Sequence, residues 1–112
     1  MALVLRGLLL AAPLSSGIAH AMQTPLGQMP QDKLAAAGAE LYANRCSGCH
    51  GEELRNMTGG QVFDLRRLHS DDHDRFVNSV ISGKDNMPSW YGVLKPEEIK
   101  AIWAYIRSMV DR

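Results

Sequence analysis

Five residues, Cys46-Ser47-Gly48-Cys49-His50, constrain this chain more than any other feature. Two thiols three positions apart, with an imidazole beside the second, have four ordinary uses. A disulfide is the default for paired cysteines in an exported protein. A dithiol redox pair needs a preceding strand and a βα context, and no strand-like alternation of useful length occurs in this sequence. A structural zinc site needs a fourth ligand, and three from one five-residue stretch give poor tetrahedral geometry. The remaining use is covalent attachment of haem, for which C-x-x-C-H is the spacing. There two thiols add across two vinyl groups and the adjoining imidazole is delivered to one face of the iron. The pattern favours this last use.

At 112 residues the chain has room for one domain. A domain of that size buries only a modest core, so a covalent haem would serve as a large apolar plate for its side chains. Twelve basic and twelve acidic residues cancel, which implies neither a basic face for nucleic acid nor an acidic tail, and leaves partner choice to local surface. Residues 1–21 read as a cleavable export signal. Arg6 and the free amine open it, Leu8 to Ile18 form an apolar stretch broken by Pro13, and Ala19-His20-Ala21 is a small-x-small cleavage site. The stretch is short for a membrane span, which takes about 20 apolar residues, although an uncleaved anchor is the alternative. Cleavage after Ala21 would start the mature chain at Met22 with a formal charge of −1. Residues 22–31, with Pro25, Gly27 and Pro30, read as a flexible lead-in, and 32–112 as the folded domain.

Three helices are expected. The first runs from Asp32, as N-cap, to about Cys46, with Leu34, Ala37, Leu41 and Tyr42 on its apolar side. Gly38 in its middle costs about 1 kcal/mol against Ala, which points to close approach of another helix. A middle helix is expected from Ser70, as N-cap, to Ile81, stopped by Gly83 and burying Phe76, Val77, Val80 and Ile81. The last runs from Pro96 to about Val110, with Pro at its first turn beside Glu97 and Glu98, and with Ile99, Ile102, Trp103, Ile106 and Met109 along one face. The segment from Gly51 to Leu68 reads as loop, turning at Gly59-Gly60.

In a haem site His50 is the fifth ligand of the iron through one ring nitrogen, and its other N–H needs an acceptor that fixes the ring. Taken with the downstream Asn86-Met87-Pro88-Ser89-Trp90, the attachment motif resembles class I c-type cytochromes, and the likeness extends from about Lys33 to Met109. It implies an all-α fold of three main helices around one covalent haem c, with the first and last helices crossing; Gly38 and Tyr42 resemble the crossing pair, and Ile102 with Tyr105 its partner surface. It implies that a backbone carbonyl orients His50, here in Phe63-Asp64-Leu65 where the family has Pro-Asp-Leu. It also makes Met87 the sixth ligand, so that the cofactor-binding set is Cys46, Cys49, His50 and Met87, with His50 and Met87 on the metal. A thioether in that position favours Fe(II) and raises the potential relative to two imidazoles.

Alternatives at that position are an ordinary loop role for Met87, ligation by Met57, Met109, Met22 or Met29, and an axial role for His69 or His73. Arg66 or Arg67 is placed to pair with a haem propionate, or else sits in solvent. Trp90 and Tyr91 are expected on the haem edge, and Trp103 in the core.

The stretches from Phe63 to Leu68 and from Asn86 to Trp90 are similar to the small cytochromes that serve pyrroloquinoline-quinone (PQQ) alcohol dehydrogenases. The resemblance implies a periplasmic, monomeric one-electron carrier rather than an enzyme. Its redox protein donor would be such a dehydrogenase and its acceptor would lie toward a terminal oxidase, with no nucleic acid and no stable membrane insertion. The alternatives are a haem-based gas sensor and a haem subunit fixed in an oxidoreductase complex.

Overall fold

Gly38 fixes the architecture. In the computed structural model, which describes residues 7, 10–13 and 24–112, a Cβ placed on Gly38 would lie 1.8 Å from the carbonyl oxygen of Ala101 and 3.0 Å from the backbone nitrogen of Ile102. Two helix backbones therefore touch at this point, and only hydrogen fits between them. The helices are α1 (Gln31–Arg45) and the last helix of the chain (Pro96–Val110), which form the principal packing of the fold. Between them come α2 (Ser47–His50), α3 (His73–Ser82) and short 3-10 turns at Glu52–Leu54, Leu65–Arg67 and Ser70–Asp72, which makes the last helix α4. Among the described residues there is no strand, only an isolated antiparallel bridge between Lys84 and Met87. None of the described helices is long and apolar enough to cross a membrane. The expected export signal, its cleavage site after Ala21 and Met22 fall outside the described residues except at 7 and 10–13.

The expected all-α fold with crossing first and last helices is present, with differences at the helix ends. Pro30, not Asp32, is the N-cap of α1: its extended backbone (φ −56°, ψ 153°) leaves its carbonyl to accept from Leu34 N–H at 2.9 Å. Asp32 sits in the first turn, where a carboxylate suits the helix dipole. The helix closes at Arg45, and Cys46 is its C-cap. Ser70 likewise is not the cap of the middle helix. The Asp72 carboxylate accepts from His69 N–H at 2.8 Å, which winds Ser70–Asp72 into a 3-10 turn and delays α3 to His73. Gly83 ends α3 as expected. In α4, Glu98 reaches back to Lys95 N–H at 2.9 Å, and Pro96 fills the first position, where no amide donor is needed.

The core joins Tyr42 of α1, Phe76 and Val80 of α3, and Ile99, Ile102 and Ile106 of α4 to three buried loop residues, Leu54, Leu68 and Leu94. Nine such side chains at roughly 1.5–3 kcal/mol each are the main favourable term. Tyr42 is 1 % exposed and donates to the carbonyl of Gly51 at 2.7 Å, and its ring lies 5.3 Å from that of Tyr105. That ring contact belongs to the partner surface expected at the crossing, and the close approach expected at Gly38 is made to the backbone of Ala101. Leu34, Ala101 and Ala104 form a second cluster, onto which Leu26 and Met29 of the lead-in pack, so this part of the 22–31 segment is docked by its side chains. Arg107 ties α4 to the loop: it donates to Leu68 carbonyl at 2.7 Å with its guanidinium 5.0 Å from the centre of the Trp103 ring.

Candidate cofactor site

Where α1 ends, Cys46 turns the chain and its carbonyl accepts from Cys49 N–H (3.2 Å) and His50 N–H (3.0 Å). The resulting single turn, α2, carries both thiols and the imidazole. Cys46 is half-buried against the core, Cys49 is exposed, and both are free. Burial, with a smaller contribution from Cys49, pushes the Cys46 thiol up to about 11, so it is protonated at neutral pH.

His50 Nδ1 lies 3.1 Å from the carbonyl oxygen of Phe63. A carbonyl only accepts, so Nδ1 carries the proton and Nε2 is left with its lone pair. Burial lowers the imidazole's pKa and the Phe63 carbonyl partly offsets this, which favours the neutral, ligating form. The acceptor loop holds its shape without the family's Pro. Asp64 accepts from the backbone N–H of Arg66 at 3.0 Å and grips its guanidinium through both oxygens, at 3.0 and 2.8 Å. Upstream, Asn56 donates to the carbonyl of Val62 and accepts from Thr58, whose hydroxyl in turn accepts from Val62 N–H at 3.0 Å. Asn56 and Thr58 were missed at the sequence level. The only signal was an amide and a hydroxyl two residues apart before Gly59-Gly60, a common turn chemistry.

Met87 comes from the loop after α3. Met87 and Lys84 exchange backbone bonds of 2.8 and 3.1 Å, Trp90 N–H donates to Val80 carbonyl at 2.9 Å, and the Ser89 hydroxyl donates to Ile81 carbonyl. Gly83 permits the reversal: its backbone (φ +74°, ψ 165°) belongs to a region used almost only by glycine, and a Cβ there would lie 2.7 Å from Met87 carbonyl.

These segments enclose a cavity of about 390 Å³ whose lining includes Cys46, Cys49, His50 and Met87 together. Leu65, Leu68, Phe76, Val80, Ile102 and Ile106 are among its apolar walls, and Trp90 also lines it. An apolar slot with two thiols, a neutral imidazole nitrogen and a thioether on its walls fits a haem. Its charged lining is Arg45, Arg75, Lys84 and Asp85.

The rivals fall elsewhere. Met57 is 90 % exposed, and neither it nor Met29, Met109, His69 or His73 lines the cavity; Met22 is outside the described residues. Tyr91 is 81 % exposed and does not line the cavity, which corrects its expected place on the haem edge. Arg66 and Arg67 do not line it either, and the Arg66 fork is taken up by Asp64 instead. Trp103 packs on Phe76, with ring centres 5.2 Å apart, and faces a separate depression of about 570 Å³ that shares no lining residue with the first. Among the described residues no three His, Cys, Asp or Glu side chains are grouped to hold a metal ion, and it is a helix, α1, that precedes Cys46 rather than the strand a dithiol redox pair needs.

Residues 33–106 match the family described as cytochrome c oxidase, cbb3-type, subunit III. Quinohemoprotein alcohol dehydrogenase ADH-IIG of Pseudomonas putida is 38 % identical over 72 residues, covering 62 % of this chain and 10 % of that protein. The cbb3-type cytochrome c oxidase subunit FixP of Bradyrhizobium sp. is 32 % identical over 79 residues, 67 % of this chain and 27 % of the relative. Cytochrome c6 of Euglena viridis is 31 % identical over 80 residues, 67 % of this chain and 92 % of the relative. The chain thus spans a small part of the first two relatives and nearly all of the third. No solved structure matches it.

Proposed function

Because the chain belongs to the class I cytochrome c family and carries covalently bound haem c as an electron-transfer domain, we propose that it is a periplasmic one-electron carrier loaded by a quinoprotein alcohol dehydrogenase. When bound, haem supplies an iron that gains and releases one electron. Cys46 and Cys49 would hold it by thioether bonds, and His50, through Nε2, and Met87 would bind the iron. The observation that supports this assignment is their convergence on one apolar cavity, with His50 Nδ1 tied to Phe63 carbonyl. Apolar walls keep water from the metal and so favour fast exchange between two oxidation states of similar geometry. Ligation of the iron by both His50 and Met87 would leave no position for substrate, which suits a carrier that does no bond chemistry.

The donor assignment rests on the likeness to quinohemoprotein alcohol dehydrogenases, and likeness to cbb3-type oxidase subunits supports an acceptor toward a terminal oxidase. Residues 1–21 are assigned to export, so the mature protein begins at Met22. Stopped-flow mixing with a reduced quinoprotein alcohol dehydrogenase tests the reading. Reduction faster than dehydrogenase turnover, with weak salt dependence because the charges balance, is expected; a hundredfold slowing between low and physiological salt contradicts the neutral docking surface. The match to small parts of larger oxidoreductases gives one competing reading, a haem subunit held permanently in a complex. Gel filtration of a native extract separates the two, since a carrier elutes as a monomer. Rapid CO binding at neutral pH would instead indicate a gas sensor with an open iron.

A further inference from the structure

Haem carries two carboxylates as well as iron, and taking them into a largely apolar slot is costly unless cations meet them. The cavity supplies three, from three different parts of the fold: Arg45 at the end of α1, Arg75 in α3 and Lys84 beside the Met87 loop, with Asp85 the opposing charge. Arg66 and Arg67, the pair suggested by position in the sequence, are absent from the lining.

The three cations differ in how they are held. Arg75 stands with its guanidinium carbon 5.0 Å from the centre of the Phe63 ring, and its one ion pair, to Asp72, is long at 3.9 Å. It is thus positioned by an aromatic face while most of its donors stay uncommitted. A planar fork matches a carboxylate in two-point fashion, which the point charge of Lys84 does not. Phe63 is also the residue whose carbonyl orients His50. The side chain that seats Arg75 and the backbone that seats the imidazole therefore belong to one residue.

We infer that Arg75 is the positioning residue for a haem carboxylate, and that Phe63 couples this anchor to the orientation of His50. The inference rests on the proposed haem site. Arg75 keeps the carboxylate ionised and places a positive charge near the iron, which favours the less positive, reduced state. Besides Cys46, Cys49 and His50, the other titratable and charged groups on the cavity are Arg45, Lys84, Asp85 and Tyr42, the last held protonated by burial.

The test is spectroelectrochemistry on the matured holoprotein and on the variants Arg75→Gln, Arg75→Lys and Arg67→Gln. At about pH 8, where the carboxylate is ionised in every variant, Arg75→Gln should lower the midpoint potential, Arg75→Lys should lower it less, and Arg67→Gln should leave it unchanged. Arg75→Gln should also gain a pH-linked change in potential between about pH 5 and 7 that the wild type lacks. A wild-type potential in Arg75→Gln, an equal shift in Arg67→Gln, or a fall without the new pH-linked step overturns the inference. If Arg75→Gln does not mature, Arg75→Lys carries the test, and a potential and pH profile equal to wild type overturns it. A wild type without covalent haem would instead break the proposed function.

Discussion

The crossing of α1 and α4 and the cavity beside it are built by opposite means. At the crossing, two regular helices press backbone on backbone at Gly38 and Ala101, and the contact tolerates no added atom. Around the cavity, irregular turns place each functional group through one or two hydrogen bonds: Phe63 carbonyl on His50, Lys84 on Met87, Asn56 on Val62. Stability thus sits in the helix pair and chemistry in the turns, so damage to one should be separable from damage to the other.

The largest effect should come from Gly38→Val. Its Cβ would meet the carbonyl of Ala101, forcing the helices apart at a cost of about 3 kcal/mol or more, a large share of a small domain's stability. Urea unfolding of the holoprotein, or loss of mature protein from the periplasm, reads this. Gly83→Ala attacks the turn instead. A side chain in that backbone region costs about 1–3 kcal/mol, and the clash with Met87 carbonyl should displace the loop. Covalent haem should survive while the optical signature of thioether ligation weakens. Met87→Ala sharpens the contrast: the haem stays attached, the potential falls and CO gains access, with less effect on unfolding than Gly38→Val. An unchanged spectrum would remove Met87 from the iron. The smallest effect belongs to Asp64→Asn. Arg66 holds the Asp64 carboxyl below its ordinary value of 3.8, so the wild-type pair adds stability above that value and loses it as the pH falls through the lower folded value. The variant should therefore differ slightly at neutral pH, and the difference should vanish in acid titrations followed by circular dichroism.

The same division explains what the sequence made legible. Helical spacing in α4 and the lone Gly38 were enough to place the crossing, because regular helices declare themselves by period and a mid-helix glycine by its cost. The motif around Cys46 and the Met-Pro stretch named Cys46, Cys49, His50 and Met87, all of which lie on the lining of one cavity. Less accessible were groups acting through backbone geometry: the capping by Pro30 and Asp72, the clamp of Asn56 and Thr58, and the burial of Leu54 and Leu68 from a loop. Tyr91 and the propionate option for Arg66 miss the cavity for a related reason. Each is the immediate neighbour of a residue that does line the cavity, Trp90 and Leu65 respectively, and the local turn aims neighbours in different directions.

The most direct test is the intact mass of the mature protein made with a working haem-maturation system, combined with mapping of the peptide that contains Cys46 and Cys49. One haem per chain, bonded through both sulfurs, is the predicted result. A colourless product with both thiols free would contradict it.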